Sequence, residues 1–362
     1  MSIIEKDCYC KSKDSKNSIQ FTKLEPALCD ELKTIVEALN VQGKGILAAD
    51  ESPASLEERF RFLNLENTEI TRRDYREMLF SSNESLLGQY ISGILLHHET
   101  LYQKTKDGVE FIDLLCQKNI IPGIKVDKGL VPLFGTEGEN LTQGLDDLKE
   151  RCIQYKNDGC HFTKWRCVFT ISDNLPSRLS IESNCHVLAR YATICQSARL
   201  VPIVEPEILT VGDHSIEKCQ QILEEILSTL FFIFQKYHVY LEGIILKPAM
   251  VLPGNKSEIC NAEMVAKCTV TALLRTVPSA VSTIFFLSGG QKDSEAYSNL
   301  NAINLFNAKK PWTLSFCFGR ALQNEAMKVW SGECRNISMA QSAFLEKAKL
   351  ASLASLGKYS EN

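Results

Sequence analysis

The sequence predicts a (β/α)8 barrel, or TIM barrel, in a single domain, and three observations support this fold class. Eight short apolar runs recur along the 362 residues. They begin roughly 30–45 residues apart, which is the spacing of strand-helix-strand units. Amphipathic helical stretches, such as Ala262 to Thr276 and Ile216 to Tyr237, separate several of them. A doubly wound open sheet is the alternative, but no glycine-rich dinucleotide motif follows the first run, which disfavours its Rossmann form.

The eight apolar runs are assigned to the barrel strands in chain order. Each is short and bounded by polar or turn-forming residues, as expected of a buried parallel strand. The runs are Gly45 to Ala49, Ile91 to Leu96, Ile120 to Val126, Phe162 to Phe169, Val201 to Val204, Gly243 to Leu246, Thr283 to Leu287 and Thr313 to Phe318. We expect the barrel domain to span residues 22–345. A polar, disordered extension over 1–21 precedes it, and a helix end with a short tail over 346–362 follows it.

Composition excludes several classes of protein. The formal net charge is −4, so there is no basic surface typical of nucleic-acid binding. No apolar run approaches the ~18 residues that span a bilayer. The 14 cysteines form no CxxC pair and are scattered through apparent core elements, which favours reduced thiols over a disulfide framework. The N-terminal residues lack the features of a signal or transit peptide, so we expect a cytoplasmic protein.

Charged residues gather where the strands end, which is where barrel enzymes place their chemistry. Three of these ends carry charges at i and i+2, positions that share one face of a strand. We predict that these pairs point into the barrel mouth, since a salt-bridge network alone would not need so many charged strand ends. The ends are Asp50, Lys125-x-Asp127, Lys164-x-Arg166, Glu205-x-Glu207, Lys247, Ser288-Gly289-Gly290 and Gly319-Arg320.

Lys247 is the candidate nucleophile. It follows the apolar run Ile244 to Leu246, and Pro248 comes next and would interrupt strand pairing. We expect burial and the neighbouring Lys164 to lower the pKa of Lys247, which would make its neutral amine available for Schiff-base formation. Glu205 would exchange protons with the resulting carbinolamine, which calls for a carboxyl of raised pKa.

Two anion sites are predicted on either side of Lys247. Ser288, Gly289 and Gly290 precede a helical stretch from Ser294, so backbone N–H groups and a helix N-terminus would attract a phosphate there. Arg320 would add a charged clamp. A second site would form from Ser52, Ser55, Arg59 and Lys125. Two phosphate sites flanking a lysine favour a sugar bisphosphate as the ligand.

The histidines do not suggest a metal site. His97 and His98 form the densest group with Glu99, but adjacent strand residues face opposite sides of a sheet. We therefore predict no metal, and no cofactor is expected.

The chain resembles the class I, or Schiff-base, fructose-bisphosphate aldolases from about Thr22 to Tyr359. The resemblance rests on several long motifs, which together are highly specific. They are GKGILAADES (43–52), HHETLYQK (97–104), GIKVDKG (123–129), KWRCV (164–168), VPIVEPEIL (201–209), EGIILKPAM (242–250), LLRTVP (273–278) and FLSGGQ (286–291).

The resemblance implies a cytosolic glycolytic lyase without a metal, usually a homotetramer, that cleaves fructose 1,6-bisphosphate reversibly into two triose phosphates. It implies that Lys247 forms the Schiff base and that Lys164 and Glu205 assist carbinolamine formation and dehydration. Asp50 would handle the proton of the substrate 4-hydroxyl, and Glu207 would support the lysine cluster. Arg166 is also expected to bind substrate. Ser288, Gly289, Gly290 and Arg320 match the C1-phosphate site, and Ser52, Ser55, Arg59 and Lys125 match the region that receives the C6 phosphate.

Three departures from the family pattern stand out. The sequence ends at Asn362, whereas the family usually continues to a terminal tyrosine that helps to protonate the enamine, so we expect that step to be slow. Pro53-Ala54 and Glu58 replace the common Thr-Gly and lysine, and Ala249 replaces an asparagine. Because of these changes, a weakly active paralogue that serves mainly as an actin-binding scaffold is the alternative function. A Schiff-base aldolase for another sugar phosphate is disfavoured by the two phosphate regions.

Overall fold

Eight parallel strands close into a barrel in the computed structural model, which describes residues 24–360. Each strand pairs with the next one along the chain, and the first also pairs with the last. The barrel strands are β1 (Gly45–Ala49), β2 (Ile91–Leu96), β3 (Ile121–Lys125), β6 (Phe162–Phe169), β7 (Val201–Ile208), β8 (Ile245–Leu246), β9 (Thr283–Phe286) and β10 (Thr313–Phe318). The predicted (β/α)8 barrel is confirmed.

Helices connect the barrel strands and cover their outer face. They are α1 (Pro26–Leu39), α2 (Pro53–Arg61), α3 (Glu69–Phe80), α4 (Glu84–Tyr90), α5 (His98–Leu101), α6 (Phe111–Gln117), α7 (Leu148–Asn157), α8 (Arg178–Ser197), α9 (Ile216–Lys236), α10 (Ala262–Thr276), α11 (Asp293–Leu305), α12 (Arg320–Trp330) and α13 (Ile337–Ser355). Short 3-10 turns lie at Leu241–Gly243 and Cys334–Asn336. None of the helices within residues 24–360 is long and apolar enough to cross a membrane.

Side-chain caps fix where several helices begin. Ser215 accepts a hydrogen bond from the Lys218 N–H at the start of α9, and Asn261 accepts one from Met264 at the start of α10. Such caps satisfy backbone donors that have no partner within the helix. The two helical stretches predicted from periodicity therefore begin where the sequence places them.

The lower barrel interior is filled by apolar side chains from the strands. Phe162 occupies its centre, and a Cβ atom on Gly123 would overlap the Phe162 ring. Below it, α1 closes the barrel, and its Leu39 side chain lies so near Gly93 that a Cβ atom there would come within 2.6 Å. Because the lower interior is packed, a ligand can enter only from the carboxyl ends of the strands.

Three features differ from the sequence prediction. Strand β7 continues to Ile208, so Glu205 and Glu207 lie within the strand rather than beyond it. Strand β8 has only two residues because a 3-10 turn occupies Leu241–Gly243. A two-stranded hairpin, β4 (Leu130–Pro132) and β5 (Asn140–Thr142), follows β3 and was not anticipated. The predicted extension at 1–21 and the pair Cys8 and Cys10 lie outside the described residues.

The cysteines of the described chain are free thiols. Two of them, Cys152 and Cys195, are buried with their sulfur atoms 3.7 Å apart, which is well beyond the length of a disulfide bond. The reduced state predicted from their scatter along the sequence holds for these residues.

Candidate active site

A cavity of about 560 Å³ opens at the carboxyl ends of the barrel strands. Of the fourteen site residues predicted from the sequence, all but Gly290 line it: Asp50, Ser52, Ser55, Arg59, Lys125, Lys164, Arg166, Glu205, Glu207, Lys247, Ser288, Gly289 and Arg320. The topology brings these residues together because parallel strands present all their carboxyl ends at one side of the barrel.

Four buried charges form an alternating row at the floor of the cavity. Lys247 Nζ lies 2.8 Å from Glu205 Oε1. The second oxygen of Glu205 lies 3.3 Å from Lys164 Nζ, which in turn lies 2.8 Å from Asp50 Oδ2. All four side chains are less than a tenth exposed. Two lysines and two carboxylates compensate one another, which makes the burial of four charges tolerable.

The strands hold this row in register. On the paired strands β6 and β7, Lys164 lies opposite Ile203 and Arg166 lies opposite Glu205. The backbone N–H of Lys247 donates to the Val204 carbonyl, 2.8 Å away, so pairing continues one residue past β8. Pro248 follows and cannot donate an N–H to the sheet. Lys247 is therefore fixed at the upper edge of the barrel with its side chain in the cavity.

The pKa of Lys247 is raised, which makes the expected lowering wrong for the unliganded protein. Burial lowers this pKa, but negative charge at Cys317, when that thiol is ionised, and at Glu205 raises it by more, even against the charge of Lys164. Burial raises the pKa of the Cys317 thiol to about 11, so Cys317 is neutral near pH 7. At neutral pH, therefore, the main partner of the Lys247 ammonium is Glu205.

The pKa of Glu205 is lowered, which is also opposite to the expectation. Burial raises this pKa, but the ammonium groups of Lys164 and Lys247 lower it by more. The same balance brings the pKa of Asp50 down to about 2, since burial is outweighed by Lys164 and Lys247. The resting site thus holds two carboxylates and two ammonium groups.

Two further ion pairs line the cavity wall. Arg166 Nε lies 2.5 Å from Glu207 Oε2, and Lys125 Nζ lies 2.5 Å from Asp127 Oδ1. Burial lowers the pKa of Arg166, but Glu207 raises it by more. The charged residues at i and i+2 on these strands do point into the same cavity, as predicted.

The turn after β9 places its polar backbone beside Arg320. A Cβ atom on Gly289 would come within 2.8 Å of Glu207 Oε1 and 3.6 Å of Arg320 Nη2. Gly290 has a φ of +77°, and a side chain there would collide with Thr210. Gly290 thus packs against the loop after β7 rather than lining the cavity. Its role is to permit the turn, because only glycine adopts this conformation at no steric cost.

The start of α2 forms the opposite side of the cavity. Ser52 caps this helix by accepting a hydrogen bond from the Ser55 N–H, 3.3 Å away. Pro53 occupies the first turn, a position where proline is favoured because its fixed φ suits the helix. The replacement at 53–54 therefore preserves the helix start. Glu58 and Arg59 follow on the same helix, and both line the cavity.

Two residues with ionisable side chains that line the cavity, Glu51 and Cys317, were not predicted from the sequence, whereas Asp127 was predicted to point into the barrel mouth. Both were visible in the sequence. Glu51 adjoins Asp50, and Cys317 lies three residues before Arg320. Their partners are set by side-chain distances, so the sequence alone did not single them out.

Tyr359 and the histidines lie in other surroundings. The Tyr359 ring packs 5.8 Å from that of Tyr297 and borders a second cavity of about 610 Å³ beside α10 and α11. His97 caps α5, and His98 begins that helix. The expectation that these two histidines lie on a strand is therefore wrong. Burial, followed by the charge of Lys125, lowers the pKa of His97 to about 4. Within residues 24–360, no group of three or more His, Cys, Asp and Glu side chains is arranged to hold a metal ion.

Comparisons with known proteins agree with this geometry. Residues 31–362 match the family profile described as fructose-bisphosphate aldolase class-I. The chain is 52% identical over 332 residues to a fructose-bisphosphate aldolase of Drosophila melanogaster, with 92% of each chain covered. It is 51% identical over 343 residues to that of Echinococcus multilocularis, covering 93% of this chain and 94% of the relative.

A solved structure shows the same fold. It is the fructose-bisphosphate aldolase of Plasmodium falciparum, in a ternary complex with TRAP and a small-molecule inhibitor. The TM-score is 0.92 at 46% sequence identity, and the match covers 94% of this chain and 98% of the other.

Proposed function

The chain belongs to the class I fructose-bisphosphate aldolase family, and we propose that Lys247 is the residue through which it forms its Schiff base. The family is a metal-independent lyase that cleaves fructose 1,6-bisphosphate into dihydroxyacetone phosphate and glyceraldehyde 3-phosphate. The observation that carries the assignment is the 2.8 Å contact between Lys247 Nζ and Glu205 Oε1 at the floor of the cavity. It pairs a buried amine with a group that can take its proton.

Imine formation requires the neutral amine, whereas the resting pair is ionic. We infer that the proton passes from Lys247 to Glu205 as the substrate carbonyl approaches the pair. The amine then attacks C2 of the ketose, and a proton passes from the attacking nitrogen to the C2 oxygen to give a neutral carbinolamine. Glu205, now protonated, donates to the carbinolamine hydroxyl, which leaves as water. A positioned acid-base residue speeds such a step because each proton has to move across only one hydrogen bond.

The protonated imine then accepts the electrons released by cleavage of the C3–C4 bond. We propose that Asp50 takes the proton of the 4-hydroxyl, since its carboxylate is ionised and shares the row of charges with Lys247, from which Lys164 and Glu205 separate it. As that proton leaves, C4 becomes the aldehyde carbon and the C3–C4 electron pair forms an enamine. Lys164 holds Asp50 and Glu205 in place with its single ammonium group.

The two ends of the cavity are proposed to hold the two phosphates. Ser288, Gly289 and Arg320 supply N–H and guanidinium donors for the C1 phosphate at one end. Ser52, Ser55, Arg59 and Lys125 form the region for the C6 phosphate at the other. Arg59 and Lys125 each have a carboxylate partner in the unliganded protein, so a phosphate must share or displace that partner. Arg166 and Glu207 form the wall between the two ends.

Since Lys247 supplies the electron sink, cleavage should not depend on an added metal. We expect the rate of fructose 1,6-bisphosphate cleavage, followed by a coupled triose-phosphate assay, to be unchanged after exhaustive dialysis against EDTA. A loss of rate that zinc restores would contradict the imine mechanism.

Glu58 should weaken binding of the C6 phosphate. Its exposed carboxylate lines the cavity one residue before Arg59, and like charges repel even when partly screened. We expect Glu58→Lys to lower KM for fructose 1,6-bisphosphate by about three- to tenfold and to leave KM for fructose 1-phosphate nearly unchanged. Glu57→Lys is the matched control, because Glu57 is equally exposed on α2 but does not line the cavity. Equal responses of both substrates would show that Glu58 does not act on this phosphate.

Assembly and location are also proposals. We infer a cytoplasmic homotetramer, as the family resemblance implies. Exposed apolar side chains outside the cavity, such as Phe134 and Leu179, support burial in an assembly. Sedimentation equilibrium measures the assembly directly, and a monomer at micromolar concentration would contradict it. Binding to actin filaments stays a prediction, testable by co-sedimentation, and the comparisons do not favour a scaffold over the enzyme.

A further inference from the structure

Glu51 forms a bridge between two arginines at the C6 end of the cavity. Its Oε1 lies 2.6 Å from Arg59 Nη1, and its Oε2 lies 2.8 Å from Arg76 Nη2. The two arginines differ in their surroundings. The Arg59 side chain is 16% exposed on the cavity wall, whereas that of Arg76 is 1% exposed behind it. The Glu51 carboxylate thus pairs with Arg59, which a ligand in the cavity can contact, and with Arg76, which such a ligand cannot reach.

The Arg59 guanidinium also interacts with the Tyr75 hydroxyl, and its other contacts are long. Its Nη1 also lies 3.5 Å from Gln323 Oε1, and its Nη2 lies 3.4 Å from Asn324 Oδ1. Both distances are at the long end for hydrogen bonds to nitrogen. Of these partners Glu51 carries the negative charge, so it is the one that would compete with an anionic ligand for the Arg59 guanidinium. Gln323 itself is fixed elsewhere, since it donates to the Ala48 carbonyl and accepts from the Tyr75 hydroxyl.

Arg76 depends on Glu51 in a way that Arg59 does not. Within residues 24–360, its Nε and Nη1 are buried without hydrogen-bond partners, and its guanidinium lies 5.4 Å from the centre of the Tyr75 ring. Arg76 therefore needs the Glu51 carboxylate as its counter-charge. If Arg59 moved to another anion, Glu51 would keep a buried cation beside it and would not be left as an uncompensated charge.

We propose that Glu51 determines the affinity for the 6-phosphate by competing with it for Arg59, while Arg76 retains Glu51 when Arg59 leaves. The inference rests on the proposed function, because it takes the 6-phosphate to bind at this end of the cavity. Arginine pairs in a bidentate manner with phosphate as well as with carboxylate, and a phosphate dianion carries more negative charge than one carboxylate, so the substrate can take Arg59 from Glu51. The Glu51–Arg59 pair lowers bisphosphate affinity and thereby sets the preference between sugars with one and two phosphates.

The test measures binding without catalysis. The probes are hexitol 1,6-bisphosphate and hexitol 1-phosphate, which lack the carbonyl group needed for an imine, and dissociation constants are measured by isothermal titration calorimetry on the full chain. We expect Glu51→Gln to tighten binding of the bisphosphate about fivefold and to leave the monophosphate unchanged. In the Arg59→Gln background, Glu51→Gln should give no such gain in affinity, because the cation for which Glu51 and the phosphate compete is absent.

Arg76→Gln provides the reverse change. Glu51 would then rely on Arg59 alone, so bisphosphate binding should weaken about fivefold, with thermal unfolding showing whether the variant is folded. Weaker bisphosphate binding in Glu51→Gln, or an equal shift for both probes, would overturn the proposal whether or not Arg76→Gln folds. Binding by the wild-type protein distinguishes failure of this proposal from failure of the proposed function. If the wild-type protein binds both probes equally, the assignment of the 6-phosphate to this end of the cavity is wrong.

Discussion

Lys247→Met should lower the rate of fructose 1,6-bisphosphate cleavage by at least about 10⁴-fold. Methionine is close to lysine in length and suits the buried site, but it has no nitrogen to attack the carbonyl. Because Glu205 would keep Lys164 as a partner at 3.3 Å, the variant should fold, which circular dichroism and thermal unfolding can confirm. The rate is measured by a coupled triose-phosphate assay.

The matched control for that variant is Lys125→Met. Lys125 is a second lysine of the cavity, but it is paired with Asp127 on the wall and does not contact Glu205. The Lys125→Met variant should have a higher KM for the bisphosphate and should still form an imine. If Lys247→Met retained more than a hundredth of the wild-type rate, or if Lys125→Met lost imine formation, the nucleophile would have to be reassigned.

Glu205→Gln should slow imine formation by about 10²–10⁴-fold, the usual contribution of a positioned acid-base group. Glutamine preserves the shape of the side chain but can neither take the proton from Lys247 nor return it to the carbinolamine hydroxyl. The substrate KM should change little, because Glu205 lies below the phosphate regions. Rapid quench of a single turnover measures the rate of imine formation directly.

Glu207→Gln is the control for the Glu205→Gln variant. Glu207 lies two residues further along β7 and also lines the cavity, but it pairs with Arg166 rather than with a lysine. Its effect should be at least tenfold smaller. Equal losses in both variants would mean that the negative charge of the strand, and not proton transfer at Glu205, supports the reaction.

The barrel was predictable because its strands are short apolar runs, and such runs are visible in a sequence. Phe162–Phe169 and Gly45–Ala49 occur where the runs predict them. The hairpin at Leu130–Pro132 and Asn140–Thr142 was not predicted. Most of its side chains are exposed or partly buried and give little hydrophobic pattern. The end of β7 was missed for a related reason: Glu205 and Glu207 interrupt the apolar run although the strand continues through them.

The composition of the site was predictable, but its charge state was not. Strand periodicity places Lys164, Glu205 and Lys247 at one end of a barrel, and the structure confirms that they meet. The pKa directions of Lys247 and Glu205 depend on which charged atoms lie within salt-bridge distance of one another, and a sequence carries no such distances. The bridge that Glu51 forms between Arg59 and Arg76 depends on side-chain contacts between α2, α3 and the turn before α2, so periodicity could not reveal it.

The most direct test of the Schiff-base assignment is reductive trapping. The wild-type protein is incubated with dihydroxyacetone phosphate and sodium borohydride, and the adduct is located by peptide mass spectrometry. We expect one adduct, on the peptide that contains Lys247, and no adduct in Lys247→Met under the same conditions. An adduct on Lys164 or Lys125 in the wild type, or none at all while cleavage proceeds, would contradict it.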